Sequence, residues 1–126
     1  MRKMRQTDTL VGHRTAAIVQ AQPLMVPFLR DVLRCTGHSH VVTHRCASAK
    51  RLRRAKPDVV ILDIEAANAE PLALIRSIKL NAPTRIVVIA GHDDPVWNAL
   101  ARAVGADAIL GPSADRQDLV AAVRGA

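Results

Sequence analysis

The chain has 126 residues, 49% of them apolar, and a formal net charge of +7. That length suits one compact domain and leaves no room for a second. No apolar run approaches the roughly 20 residues that span a bilayer, and "MRKMRQTDTLVGHR" lacks the apolar segment of a signal peptide, so a cytoplasmic protein without membrane contact is expected.

Residues 1–14 hold Arg2, Lys3, Arg5 and Arg14 against Asp8. They read as a flexible basic leader, with the folded domain over 15–126. The first apolar run, "AAIV" (16–19), is continuous rather than alternating, as in a parallel strand covered on both faces. Leu24, Met25, Phe28, Leu29, Val32 and Leu33 then recur at helical spacing and stop at Gly37, a C-terminal cap. Pro27 fits the first turn, where backbone N–H groups have no intrahelical acceptor.

A weaker, polar strand fits 40–45. His38, His40 and His44 share one of its faces by alternation, with Cys35 and Cys46 at either end. Such a set could hold zinc or copper, but its spacing matches no metal signature, and polar residues on an edge strand are the preferred reading. The two cysteines make one possible pair, and reduced structural thiols are the default in a core of this size.

A polar helix fits 47–56, with Leu52 as its main apolar contact. The stretch "RCASAKRLRRAK" (45–56) holds six cations and no acid. Contact with nucleic acid or another acidic surface is one reading. A solvated helix face is preferred, because no aromatic side chain is present to stack on a base.

The run "VVIL" (59–62) ends in Asp63, and "IVVI" (86–89) ends beside Ala90. Between them Pro71 opens a helix that turns Leu72, Ile75 and Ile78 inward. Asp94-Pro95 reads as N-cap and first residue of the next helix, ending at Gly105. His92 and Asp93 precede it without any nucleophile and positioned base, so they are read as loop and cap, not as catalytic groups. Trp97 lies early in that helix, either as an exposed anchor or as a packing residue. A short strand fits 108–110, and the last helix starts near Asp115, with Asp118 completing a capping box. The isolated glycines form no phosphate loop.

Five βα units with right-handed crossovers give an α/β fold, a flavodoxin-like doubly wound parallel sheet of order 2-1-3-4-5 with helices on both faces. Active groups in such sheets lie past the carboxyl ends of the strands, near the reversal between the first and third. Asp63 falls there. A carboxylate so placed could accept a phosphoryl group, given Mg²⁺ on hard oxygen ligands and a cation and a hydroxyl on the remaining oxygens.

"PDVVILDI", "QPLMVPFLRDVL", "GHDDP" and "AVGADAIL" resemble the corresponding segments of bacterial two-component response-regulator receiver domains, the CheY-like family, and those of LuxR-type regulators with a helix-turn-helix output in particular. The resemblance runs from about Thr15 to Arg124 and makes Asp63 the counterpart of the phosphoacceptor. The acidic pair after the first strand is replaced by Gln20 and Ala21, the hydroxyl after the fourth strand by Ala90, the aromatic switch of the fifth strand by Ile109, and the lysine after it by Pro112. The resemblance thus implies a degenerate receiver acting in signal transduction by protein contact, not an enzyme, without catalytic residue or cofactor. The partner, or a second copy, is expected on the fourth helix, fifth strand and fifth helix, with Trp97 as an interface candidate. Nucleic acid and transcription regulation would be reached only through an output domain that these residues do not contain. The alternative keeps Asp63 phosphorylatable, with Glu65 or Asp93 helping an unorthodox Mg²⁺ site.

Overall fold

The computed structural model of the chain describes residues 14–19, 21–44, 49–64, 70–81 and 83–125. Residues 1–13 of the leader, Gln20, Cys46 and Glu65 lie outside these, while Arg14, assigned to the leader, is the first residue of a strand. The strands are β1 (Arg14–Val19), β2 (His38–His44), β3 (Val59–Asp63), β4 (Arg85–Ile89) and β5 (Ala108–Leu110). All pair in parallel, in the order β2-β1-β3-β4-β5. The helices are α1 (Val26–Cys35), α2 (Ala49–Ala55), α3 (Pro71–Asn81), α4 (Pro95–Val104) and α5 (Arg116–Arg124).

Alternate residues of the central strands feed two cores. Ala17, Val19, Val60, Leu62, Ile86 and Val88 pack under Leu52 of α2, Leu74, Ile75 and Ile78 of α3 and Ala101 of α4. Ala16, Ile18, Val59, Ile61 and Val87 pack under Leu29, Val32 and Leu33 of α1 and Leu119, Ala122 and Val123 of α5. This explains why the strand sequences read as unbroken apolar runs: neither face meets water.

The helix starts follow the expected cap chemistry. Asp94 Oδ1 accepts from the backbone N–H of Val96 and Trp97, both at 3.1 Å. Asp115 and Asp118 exchange side-chain and backbone bonds at 2.9 and 3.0 Å, closing the capping box. The first helix differs from the sequence reading. Pro23–Met25 form a 3₁₀ turn, α1 begins only at Val26, and Leu24 is 93% exposed instead of facing the core. Pro27 has no N–H to offer the carbonyl of Pro23, so a regular α-turn cannot close there.

The second strand also departs from the expected alternation. It starts at His38, and its pairing with β1 slips between Arg14 and Thr15, which oppose His38 and His40 and leave Ser39 as the extra residue. Such a bulge reverses the facing of what precedes it. His38 accordingly turns toward α1, where Nδ1 lies 3.1 Å from Thr36 Oγ1 and 3.3 Å from the Leu33 carbonyl. The histidines therefore do not share one face.

His38 is almost fully buried. Burial, then the nearby Arg14 charge, lowers its pKa from 6.5, against opposing contributions from the Leu33 carbonyl and Asp58. A histidine held neutral in the fold binds fewer protons than in the unfolded chain. Its stabilising contribution is complete above pH 6.5 and is lost as pH falls from there through the folded value. Urea denaturation across this range is expected to show stability falling with acidification, by at most about 1.4 kcal/mol per pH unit for this group. His38→Gln should flatten that slope, leaving the part due to His44, whose pKa is lowered by burial and by Arg51.

At the opposite end of the sheet from Asp63, Lys79 of α3 ties three elements together. Its Nζ donates to Asp107 Oδ2 at 2.6 Å and to the Thr84 carbonyl at 2.7 Å, and Asp107 Oδ2 also accepts from Ile86 N–H at 2.8 Å. Burial pushes the Asp107 carboxyl up, but these bonds and the charges of Lys79 and Arg85 outweigh it and leave the pKa lowered. The Lys79 chain crosses directly over Gly105, which has φ +131°; a Cβ there would stand 2.7 Å from Lys79 Cγ. Gly105→Ala is therefore expected to cost about 1–3 kcal/mol from backbone strain alone, more with the clash, as a lowered urea midpoint at unchanged m-value.

Candidate functional site

The site is built where the parallel strands end. Val19 of β1 pairs with Leu62, so the chain leaves β1 one residue below the level of Asp63. Asp63 pairs with Ile89 of β4, and Ile89 with Leu110 of β5. Ala90 is anchored to the same level by its N–H, which donates to the Leu110 carbonyl at 2.9 Å. This register sets Ala21, Asp63, Ala90 and Pro112 at or just past adjacent strand ends.

Asp63 is 6% exposed, the only acid among the buried residues described. It sits there because β3 is buried along its whole length, including its last residue. Ala21 is half-buried and packs against the α1–α5 core. Ala90 is buried and Pro112 exposed in the turn after β5. Ile109 opposes Val88, two residues before Ala90, and packs with the other core. Trp97 is half-buried against that same core, whereas Val96 and Leu100 of α4 are exposed. Gln20 and Glu65 fall outside the described residues.

Magnesium requires several oxygen ligands in near-octahedral geometry. Ala21 supplies no side-chain oxygen, and the Asp94 carboxylate caps α4. Asp93 is exposed in the loop after β4. Among the described residues no three His, Cys, Asp or Glu side chains converge on a common point. The donor set described around Asp63 does not fit the ion.

The structure adds one feature that the sequence did not single out. An apolar cleft opens beside the ends of β4 and β5, lined by Met25, Phe28, Ala90, Leu110, Pro112 and Leu119, among others. The signal was present as small residues at successive strand ends, Ala90-Gly91 and Gly111, but the depth of a cleft depends on how α1 and α5 are set over the sheet.

No protein-family model matches the chain. Among curated proteins it is similar to the protein-glutamate methylesterase/protein-glutamine glutaminase of group 3 operon of Cereibacter sphaeroides, 32% identical over 75 residues. The match takes in 58% of this chain but spans only about one fifth (20%) of that relative. Among solved structures it superposes on the signal receiver domain of a DNA-binding response regulator from Colwellia psychrerythraea 34H, with TM-score 0.78, 17% identity and coverage of 89% of this chain and 96% of that one. A LuxR-family DNA-binding response regulator from Staphylococcus aureus gives 0.75 and 18%, covering 88% and 96%. A CheY-like receiver domain protein from Methanospirillum hungatei JF-1 gives 0.72 and 17%, covering 85% and 87%. No described helix is long and apolar enough to cross a membrane. With five parallel strands in the order β2-β1-β3-β4-β5 and helices over both faces, the chain has the CheY-like fold of response-regulator receiver domains.

Proposed function

We propose that the chain is an atypical receiver domain of a response regulator, acting in signal transduction through protein contacts and without an aspartyl phosphate. The observation that carries this reading is the buried Asp63 carboxylate set among Ala21, Ala90 and Pro112 at the strand ends. None of these neighbours offers a charge to a phosphoryl group or a ligand to Mg²⁺. No enzymatic activity and no cofactor belong to the reading. The curated relative is named as a methylesterase and glutaminase, but the match spans only one fifth of it.

Switching then rests on differential binding of a partner to two states of the domain. The contact surface is α4, β5 and α5, where Val96 and Leu100 leave aliphatic surface in water. Trp97 of the same helix is half-buried against the core.

Incubation with Mg²⁺ and acetyl phosphate, followed by intact-mass measurement, tests the reading. An unchanged mass and unchanged Trp97 fluorescence are expected. An added phosphoryl mass that disappears in Asp63→Asn would instead establish a phosphorylatable receiver with an unorthodox Mg²⁺ site, the second reading, which the retention of Asp63 favours.

A further inference from the structure

The helices over the two faces of the sheet differ in charge. α2, α3 and α4 together contain Lys50, Arg51, Arg53, Arg54, Arg76, Lys79 and Arg102 and not one Asp or Glu. On the other face α1 carries Asp31 and α5 carries Asp118, and Asp31 is bridged to Arg116 at 2.8 Å. Two of the acids flanking the cationic layer are engaged with backbone: Asp58 accepts from Thr15 N–H and Glu70 from Leu72 N–H, each at 2.9 Å. Lys79 is bound to Asp107.

The positive charge is densest on α2. At 100° per residue, Lys50, Arg51 and Arg54 fall within about 100° of arc, and Leu52 points away from them. Leu52 is 2% exposed and fixes the helix on the core, while Lys50, Arg51, Arg54 and the following Lys56 are exposed. The helix thus presents an outward cationic stripe beside β2, the edge of the sheet.

We propose that α2 is a contact surface for the phosphate backbone of a double-helical nucleic acid. Three features select this occupant. No large apolar side chain of α2 is exposed, so the stripe lacks the aromatic or aliphatic anchor on which protein interfaces depend. The same lack removes the apolar face that an interfacial membrane helix buries. With no aromatic residue on the helix there is no platform for unpaired bases, which leaves the regularly spaced phosphates of a duplex. The contact positions the chain and reads no sequence. It adds a direct route to nucleic acid to the one that an output domain would supply.

The test measures binding of the full chain to a random-sequence DNA duplex by fluorescence anisotropy, over about 50 to about 200 mM KCl. The expected log–log salt slope is about −0.9 for each cation engaged, so between roughly −2.7 and −3.6 for three or four. Lys50→Gln, Arg51→Gln and Arg54→Gln combined should reduce the magnitude of the slope by about 2.7, while Arg51→Lys with Arg54→Lys should keep it. Arg124→Gln, on the opposite layer, should leave it unchanged, and far-UV circular dichroism should show all variants folded. A salt-independent signal would overturn the proposal, as would a slope that the triple substitution does not change. Tighter binding to single strands, or to phosphatidylserine-containing vesicles than to duplex, would overturn it too.

Discussion

On the proposed reading, placing charged groups beside Asp63 is expected to convert the chain into a magnesium-dependent phosphoacceptor. A variant combining Gln20→Asp, Ala21→Asp, Ala90→Ser and Pro112→Lys should bind Mg²⁺ and acquire a phosphoryl group on Asp63 from acetyl phosphate. The gain over the parent chain is expected to be on the order of 10⁴-fold in rate, taking about 2 kcal/mol for each of three added charged contacts and treating them as additive for scale. The scaffold is already in place. Asp63 and Ile89 are in register, Ala90 is fixed to Leu110 by its N–H, and Pro112 is exposed, with space for a longer side chain. The readouts are intact mass and Mg²⁺ titration through Trp97 fluorescence, with Asp63→Asn in the same background as the zero. A variant that binds Mg²⁺ but takes up no phosphoryl group would show that the obstacle lies in backbone geometry rather than in charge.

The fold was legible because its determinants are local. Continuous apolar runs marked β1, β3 and β4 as buried on both faces, and Asp94-Pro95 and Asp115 with Asp118 marked the starts of α4 and α5 through their own capping bonds. Asp63 was placed by position alone, since it ends a fully buried strand next to the sheet reversal. Two features escaped the sequence reading, one set by strand pairing and one by a single missing backbone donor. The bulge at Ser39 depends on how β2 meets β1, and it turned His38 into a buried partner of Thr36, away from the face assigned to it. The start of α1 depends on Pro27 denying a bond to Pro23, which left Leu24 in water. The acid-free layer is equally non-local: its cations lie in three separate helices, and only the crossovers of the chain put those helices on one side of the sheet.

Truncation in β3 is expected to be the most damaging single change to the fold. Ile61→Ala should lower stability by about 2–5 kcal/mol, and Leu62→Ala by a similar amount, because each side chain is fully buried and leaves a cavity as well as losing its transfer free energy. The two act on opposite sides of the sheet: Ile61 packs with α1 and α5, Leu62 with α2, α3 and α4. Against a total stability of about 5–15 kcal/mol for a domain, either loss is a large fraction. Truncation of Leu24 or Leu80, which are 93% and 74% exposed, should stay within about 0.5 kcal/mol. Urea denaturation of the four variants checks the contrast. If the two cores were independent, Ile61→Ala would uncouple the loss of α1 and α5 from the loss of the other helices and give two transitions. A single transition with coincident near- and far-UV signals is expected, because one strand forms the wall of both cores and its removal from either side exposes the other.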